Sequence, residues 1–283
     1  MKNILSITLL ASAILYISCG NVHEYVSASG KLFIIGGGNR SDSMMNELVD
    51  LAGIRKEGYV YVLPMASSEP DSAILWEKED FLNTGIKNIS GFAFRQGEIP
   101  PKAQLDSLRN AKLIYISGGD QSRFMNVVLN TPIMDAIHEA FKYGAVISGT
   151  SAGAAVMSDK MITGNQKRHP ETESGFISIE SDNVEITKGL GMLNDVIIDQ
   201  HFIKRQRLNR LVAASIENPD QLCVGIDEST AIIVDGSYAT VTGISQVVVI
   251  KNSDNKKTIR NGLLGETGLQ ISVYLPGQKF KIR

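Results

Sequence analysis

A serine lies between two glycines at a point where an apolar strand would turn sharply into a helix. Residues 149–153 read Gly-Thr-Ser-Ala-Gly, between the small or β-branched residues 145–148 and an alanine-rich run. A turn this tight forces the serine into strained backbone dihedrals, and side chains two residues to either side would collide with the neighbouring backbone. Strand, sharp turn and helix in that order are the context of a nucleophile elbow. Ser151 is therefore the candidate nucleophile, and a serine that only caps a helix is the alternative.

A serine nucleophile needs a base to take its proton, and the chain has 4 histidines. His201 alone stands at the carboxyl end of a predicted strand, because the apolar residues 196–198 precede it. His23 lies in the tail near the N-terminus, His138 falls within a predicted helix and His169 lies in a polar loop. His201 is thus the predicted base, and a structural histidine is the alternative.

The base in turn needs a carboxylate that fixes its tautomer and stabilises its charged form. Residues 225–231 read Gly-Ile-Asp-Glu-Ser-Thr-Ala and place two carboxylates at the end of another apolar strand. Glu171 and Glu173, in the polar loop, are further candidates. Strand ends are the more rigid support for a catalytic group. Glu228 is therefore preferred, and the two loop residues stay open as alternatives.

One cluster of basic residues follows the candidate base: Arg205, Arg207 and Arg210. A helix that starts at residue 202 would place Arg207 and Arg210 on one face and Arg205 away from it. A guanidinium group binds a carboxylate through two parallel hydrogen bonds. The cluster therefore indicates a clamp for a substrate carboxylate, with an ordinary solvated helix surface as the alternative.

Strands and helices alternate from residue 30 onward, which predicts right-handed crossovers and a mostly parallel sheet covered on both faces. The fold class is therefore three-layer α/β/α, with added C-terminal strands. In such sheets ligands bind beyond the carboxyl ends of the strands, where Gly37, Gly119 and Ser151 all fall. The predicted strands are 31–35, 59–63, 89–94, 113–116, 145–148, 196–202, 239–244, 246–250 and 269–274, and the predicted helices are 43–52, 72–82, 102–109, 122–129 and 132–142.

Residues 159–189 break this alternation because they are polar and rich in turn formers. They are predicted to form a solvated lid loop beside the site. The spacing of His169, Glu171 and Glu173 matches no ligand pattern of a metal site, so no metal is expected.

The composition fits one large globular domain: 283 residues, 43% hydrophobic and 20% charged, with a net charge of -2. Without a basic excess, nucleic-acid binding is not expected. After the leader the chain has a single cysteine, Cys223, in an apolar context that favours packing over chemistry.

The first 18 residues are an apolar run of the length typical of an export signal, too short for a comfortable membrane span. Cys19 ends the run and is followed by Gly-Asn, which resembles the lipobox of bacterial lipoproteins, where the cysteine is lipidated. Tyr16 stands where leucine is usual, so a plainly secreted protein is the alternative. We expect a tether over 19–29 and one domain over 30–283, in the periplasm or on the cell surface.

Taken together and in this order, the motifs resemble those of the cyanophycinase family of serine peptidases. The resemblance covers nearly the whole chain after the leader. Besides residues 149–154 and 225–231, it rests on 36–38 (Gly-Gly-Gly), 62–68 (Val-Leu-Pro-Met-Ala-Ser-Ser), 118–121 (Gly-Gly-Asp-Gln), 199–202 (Asp-Gln-His-Phe) and 273–277 (Val-Tyr-Leu-Pro-Gly).

The resemblance implies a fold like that of the class I glutamine amidotransferases and of aspartyl dipeptidase, a homodimer, and no cofactor. It implies that Ser151 is the nucleophile, His201 the base and Glu228 the acid. The backbone N–H groups of Gly119 and Ala152 would form the oxyanion hole.

The implied substrate is cyanophycin, a poly-aspartate chain that carries an arginine on each side chain and is cut to β-aspartyl-arginine dipeptides. A β-linked aspartyl unit presents a free carboxylate, which suits the arginine clamp. Asp120 stands where the family usually has asparagine, which would alter the polarity beside the oxyanion hole. The residues implied to line the substrate pocket are Gln121, Asp199, Gln200, Arg205, Arg207 and Arg210.

Two further functions stay open. An exported peptidase could act on other aspartyl or isoaspartyl peptides, because a protein outside the cytoplasm meets peptides more readily than a storage granule. The second further function is that of a non-catalytic binding protein with the same fold. Such a protein would be expected to lose a member of the triad. This chain has a candidate for each member.

Overall fold

The computed structural model describes residues 30–171 and 175–282. The predicted leader and tether, with Cys19, lie outside the described residues, as does Glu173. Within the described ranges, no helix combines the length and the apolar character that crossing a membrane requires.

The helices and strands of the described residues follow one another in the alternation that the sequence predicts. The helices are α1 (Asp42–Ala52), α2 (Pro70–Asn83), α3 (Lys102–Arg109), α4 (Gln121–Val128), α5 (Pro132–Lys142), α6 (Ala152–Ala155) and α7 (Leu208–Glu217). The strands are β1 (Lys31–Ile35), β2 (Val60–Leu63), β3 (Ile89–Gly91), β4 (Leu113–Ile116), β5 (Val146–Thr150), β6 (Lys160–Gln166), β7 (Val184–Lys188), β8 (Val196–Gln200), β9 (Leu222–Ile226), β10 (Thr230–Asp235), β11 (Tyr238–Gly243), β12 (Val247–Asn252), β13 (Thr258–Arg260), β14 (Leu263–Gly265), β15 (Leu269–Tyr274) and β16 (Lys279–Lys281).

An 8-stranded sheet in the order β16-β11-β10-β1-β5-β4-β2-β3 forms the centre of the fold. Strands β1 to β5 are parallel to one another, whereas β10, β11 and β16 extend the sheet antiparallel. Thr150 pairs with Ile35, and Gly149 pairs with Ile116. Because these strands end in register, the segments that follow them emerge together at one edge of the sheet. The predicted mostly parallel sheet is confirmed.

Both faces of this sheet are buried, as a three-layer architecture requires. Phe33 and Ile35 of β1 pack into the cluster that includes Leu48 of α1, while Leu32 and Ile34 pack on the opposite face with residues of α3 to α6. Successive strand residues point to opposite faces, so β1 alone joins both halves of the core.

A second, 4-stranded sheet in the order β15-β12-β9-β8 carries the histidine strand, and α7 covers one side of it. β8 and β9 are parallel, and Gln200 pairs with Ile226. The amide of His201 donates to the carbonyl of Gly36 at 2.7 Å, and that of Ser229 donates to Gly37 at 2.8 Å. These bonds join the ends of the two sheets. The sequence predicted the strands but did not separate them into two sheets.

Two sequence expectations are wrong in detail. Residues 160–166 and 184–188 are not a lid loop but pair antiparallel as β6 and β7. Their inward residues, such as Ile162 and Val184, are buried, while polar residues on the outer side hide the strand pattern. The helix predicted from residue 202 begins at Leu208, because 202–207 form turns.

Candidate active site

Ser151 stands directly after β5, at the start of the short helix α6, with φ 54° and ψ −109°. This positive φ is rare for a residue with a side chain and is typical of strained functional turns. A Cβ on Gly149 would lie 2.5 Å from the carbonyl carbon of Gly153, and a Cβ on Gly153 would lie 3.0 Å from that of Ile116. The two glycines are therefore required by close backbone approach.

Ser151, His201 and Glu228 form a continuous hydrogen-bonded chain. The distance from His201 Nε2 to Ser151 Oγ is 2.8 Å, and that from His201 Nδ1 to Glu228 Oε1 is 2.6 Å. The three residues come from the ends of β5, β8 and β9, on two different sheets. Both ring nitrogens of His201 are thus occupied by the partners that nucleophilic catalysis needs.

Two glycines of the loop after β1 make room for this chain. A Cβ on Gly37, which has φ +101°, would lie 2.5 Å from Nε2 and 2.9 Å from Nδ1 of His201. A Cβ on Gly38 would lie 2.7 Å from Cβ of Glu228. The imidazole therefore rests against bare backbone. The glycine run at 36–38 indicated in the sequence that another group approaches the backbone closely there. That this group is the His201 ring depends on the fold.

His201 is held in its neutral form. Burial lowers the pKa of its imidazole below the ordinary value, and although the hydrogen bond to Glu228 opposes this, the positive charges of Arg205 and Arg207 add to the lowering. A lowered pKa favours the neutral imidazole, which keeps one ring N–H and can accept a proton from a serine hydroxyl at its other nitrogen.

The other acid and base candidates among residues 30–171 and 175–282 are occupied elsewhere or lie on the surface. Asp227 accepts from the amides of the turn after β8, at 3.1 and 2.9 Å, and from the hydroxyl of Ser245 at 2.6 Å. Glu171 is exposed. His169 is bonded to Glu180 at 2.7 Å, and His138 Nε2 contacts the carbonyl of Leu190 at 2.8 Å.

Gly119 and Ala152 lie on the two segments that flank the nucleophile. Ala152 directly follows Ser151, and a Cβ on Gly118 would lie 3.5 Å from that of Ser151. Gly119 itself has φ +135°, and a Cβ there would lie 2.5 Å from the carbonyl carbon of Ala66. The two segments that carry the predicted oxyanion-hole donors therefore both lie beside Ser151.

Asp120 does not face the nucleophile. Its carboxylate caps helix α4, accepting from the amides of Ser122 at 2.7 Å and Arg123 at 3.2 Å. Its own amide donates to the carbonyl of Ala66 at 2.8 Å. A carboxylate here does what asparagine would do, because both side chains are good helix caps.

A cavity of about 760 Å³, here called the arginine cavity, opens beside Glu228, whose Oε1 lies 3.8 Å from Nε of Arg205. Arg205 is half exposed, and burial together with the charge of Arg210 lowers the pKa of Arg207 to about 10. At a pKa of about 10, Arg207 still carries its positive charge at neutral pH. The residues that line the arginine cavity include Lys167, Glu185, Arg205, Arg207 and Arg210. This wall attracts anions.

Three residues predicted to line the substrate pocket instead form hydrogen bonds to the residues that make up its walls. Asp199 is fully buried and accepts two bonds from Arg210, one of them at 2.7 Å from Nε. Gln200 is buried and accepts from Arg207 through its carbonyl at 2.7 Å and its Oε1 at 2.6 Å. Buried Gln121 donates to the carbonyls of Ile162 at 2.9 Å and Thr163 at 2.5 Å. Asp199 thus supports the pocket through Arg210 and does not itself line it in this structure.

No group of three or more histidine, cysteine or acidic side chains within the described ranges is arranged to hold a metal ion. Cys223 is buried, and burial raises the pKa of its thiol to about 12, so it packs as an apolar residue.

Known proteins resemble this chain in sequence and in fold. A protein named cyanophycinase from Nostoc sp. is 33% identical over 204 residues, which span 70% of this chain and 65%, just under two thirds, of the Nostoc protein. A cyanophycinase from Geminocystis herdmanii is 34% identical over 225 residues, spanning 76% of this chain and 77% of that protein. The crystal structure of a peptidase from an acI-B1 actinobacterium matches with a TM-score of 0.67 at 20% identity, over 91% of this chain and 99% of the other.

A structural match at 20% sequence identity is evidence for the fold alone. The family is shown by the sequence matches. The family model described as peptidase family S51 matches residues 32–242, which contain every member of the hydrogen-bonded chain. The resemblance noted from the motifs is thereby confirmed. The chain belongs to peptidase family S51.

Proposed function

We propose that this chain is a serine peptidase in which Ser151 is the nucleophile, His201 the general base and Glu228 the acid that orients it. One observation carries the proposal: the ring of His201 bonds to Ser151 through Nε2 and to Glu228 through Nδ1, at 2.8 and 2.6 Å. Membership of a peptidase family supports the same chemistry.

In the proposed reaction, Nε2 of neutral His201 takes the proton from Ser151 as the serine oxygen attacks the scissile carbonyl carbon. The N–H groups of Gly119 and Ala152 stabilise the oxyanion, a contribution that typically amounts to about a hundred- to a thousandfold in rate per donor. His201 then gives its proton to the departing amine. A water molecule, deprotonated by the same nitrogen, releases the acyl group and restores the serine.

We propose cyanophycin as the substrate, cut to β-aspartyl-arginine. Each arginine of this polymer carries a free carboxylate, and Arg205 and Arg207 in the arginine cavity offer guanidinium groups to such an anion. The names of the relatives from Nostoc and Geminocystis support this substrate.

The test is digestion of purified cyanophycin by the protein lacking its first 19 residues, with release of β-aspartyl-arginine as the readout. The Ser151→Ala variant should release none, whereas a surface control, Ser253→Ala, should match the wild type. Undiminished release by Ser151→Ala would overturn the mechanism. If the wild type leaves cyanophycin intact but cleaves isoaspartyl dipeptides, the substrate proposal fails and the mechanism stands.

We also propose that the protein is exported and anchored through a lipid on Cys19. The apolar run before this cysteine supports it. Such a location favours a second class of substrate, other aspartyl or isoaspartyl peptides in the surroundings of the cell. Labelling with a radioactive fatty acid should mark the wild type and not Cys19→Ser. Equal labelling of both would contradict the anchor.

A homodimer is proposed as well. Ile271, Val273 and Leu275 are each about half exposed and alternate along β15 and the residue after it, so they form an apolar stripe on the second sheet. Sedimentation equilibrium should give twice the mass of one chain, and Val273→Glu should lower it.

A further inference from the structure

A second, smaller cavity contains the nucleophile itself. Its volume is about 310 Å³, and both Ser151 and His201 line it. The arginine cavity shares none of these lining residues and approaches the triad through Arg205, whose Nε lies 3.8 Å from Oε1 of Glu228. The smaller cavity is here called the Glu77 cavity, and its other lining residues include Gly37, Gly38, Arg40, Ser67, Trp76, Ser117 and Gly118.

Two buried polar groups in the Glu77 cavity make no well-aligned hydrogen bond within the described residues. Glu77 is 6% exposed, and its Oε2 forms an ion pair with a guanidinium nitrogen of Arg40 at 3.2 Å and lies near the hydroxyl of Tyr115, but it makes no well-aligned hydrogen bond. Ser117 is 1% exposed, and its Oγ is without a hydrogen-bond partner. Buried polar atoms are almost always paired, because an unmade hydrogen bond costs stability. Two such atoms lining one cavity next to a nucleophile indicate a ligand that completes them.

Two carboxylates, Glu77 and Asp80, share the single guanidinium group of Arg40. Arg40 donates to Asp80 through Nε at 2.8 Å and through a second nitrogen, so the positive charge of Arg40 is already matched by Asp80. Glu77 is the additional carboxylate. Burial raises the pKa of Glu77 to about 7 against the attraction of Arg40, which shows how little solvation this carboxylate has. A cation that enters the cavity would stabilise its charged form.

An aromatic ring stands at the mouth of the same cavity. Trp76 is 57% exposed, although a side chain of its size is usually well covered. It precedes Glu77 on α2 and lines the cavity with it. The face of an indole ring attracts cations, and guanidinium groups above all. An exposed indole beside an under-solvated carboxylate is a pattern that suits a flat cation.

We propose that the Glu77 cavity binds the guanidinium group of an arginine side chain carried by the leaving residue of the substrate. The inference rests on the proposed function: the acylated residue occupies the arginine cavity, so the residue that departs occupies the other of these two cavities. A guanidinium has five N–H donors in one plane, which can serve the carboxylate of Glu77 and the hydroxyl of Ser117 while Trp76 stacks on the plane.

The first test measures binding and does not depend on turnover. Nα-acetylarginine amide, whose only charge is the guanidinium, is titrated into the protein by calorimetry, with the citrulline analogue as an uncharged control. Glu77→Gln should weaken binding about tenfold or more, the value of a lost charge-assisted hydrogen bond. Trp76→Ala, at an exposed position that should tolerate the change, should weaken it about threefold. Glu79→Gln, an equal charge loss on the exposed side of α2, should have no effect.

If the wild type does not prefer the arginine probe over citrulline, or if Glu77→Gln binds it as tightly as Glu79→Gln, the proposal is overturned. Because hydrolysis plays no part, this result is separate from a failure of the wild type to cleave cyanophycin, which would overturn the proposed function.

The second test places the site on the leaving side. Two synthetic substrates share β-aspartyl-arginine as the acylated residue, and the leaving residue is β-aspartyl-arginine in one and plain aspartate in the other. The wild type should show a higher kcat/KM for the first, and Glu77→Gln should lose about tenfold on the first and much less on the second. An equal loss on both would assign Glu77 a structural role and contradict the subsite.

Discussion

Gly37→Ala tests whether the absence of a side chain at residue 37 allows the His201 ring to stay within hydrogen-bonding distance of Ser151. The new Cβ would lie 2.5 Å from Nε2 of His201. Non-bonded heavy atoms rest about 3.5 Å apart, so the ring would have to withdraw by about 1 Å. A withdrawal of that size takes the 2.8 Å bond between Nε2 and Ser151 Oγ beyond hydrogen-bonding distance.

The expected loss follows from this displacement. A misplacement of about 1 Å in a catalytic group costs about a hundredfold in rate. We expect kcat to fall by about that factor, with a small change in KM, because neither the arginine cavity nor the Glu77 cavity loses a charged group. Steady-state release of β-aspartyl-arginine from a defined cyanophycin oligomer measures both constants.

The matched control is Gly53→Ala. Gly53 also has a left-handed φ, +66°, but nothing lies within 4 Å of a Cβ there. Both variants bear a backbone cost of about 1 kcal/mol or more, which a urea titration measures. Only Gly37→Ala should lose turnover. If the two variants, both folded, turn over substrate equally fast, the imidazole is not positioned by this contact and the reasoning is refuted.

Three further predictions concern charge and capping. The acid limb of kcat/KM should lie below the ordinary histidine pKa of 6.5, and Arg205→Gln should move it to higher pH, because a positive charge that lowers the pKa of His201 is removed; a limb that stays in place would contradict that cause. Arg210→Met should lower the free energy of unfolding in urea by about 3 kcal/mol, since it leaves the buried carboxylate of Asp199 with only the 3.9 Å contact to Arg207 and the amide of Gln200, and unchanged stability would disprove that dependence. Asp120→Ala should cost about 1 kcal/mol through loss of the cap of α4, whereas Asp120→Asn should cost little, and equal losses would show that the cap is not what matters.

Capping also bears on the expectation, drawn from the resemblance, that Asp120 stands in the place of an asparagine. The sequence raised the prospect of a carboxylate beside the oxyanion hole. In the structure that carboxylate points to the amides that open α4. The departure from the motif is therefore conservative, since a helix N-terminus accepts either side chain and favours a negative charge.

The elbow and the sheet edge could be read from the chain because their causes are local. A tight turn around Ser151 admits only glycine at 149 and 153, and these positions belong to one motif of five consecutive residues. Period-2 and helical patterns likewise belong to short segments, so the alternation of elements and the parallel sheet were predictable. The ribbon formed by residues 160–166 and 184–188 was missed, since its outer polar residues mask the buried ones.

By itself, then, the sequence determined the fold class, the family, the candidate nucleophile and the one histidine at a strand end. Only the tertiary structure decided which carboxylate meets that histidine, that Asp199 is buried against Arg210, and that Glu77 lies unsatisfied beside the nucleophile. Ser151 and His201 are 50 residues apart, and Glu77 reads in the chain as one more polar residue of an amphipathic helix. Burial and pairing arise from contacts between distant segments, and no local pattern encodes them.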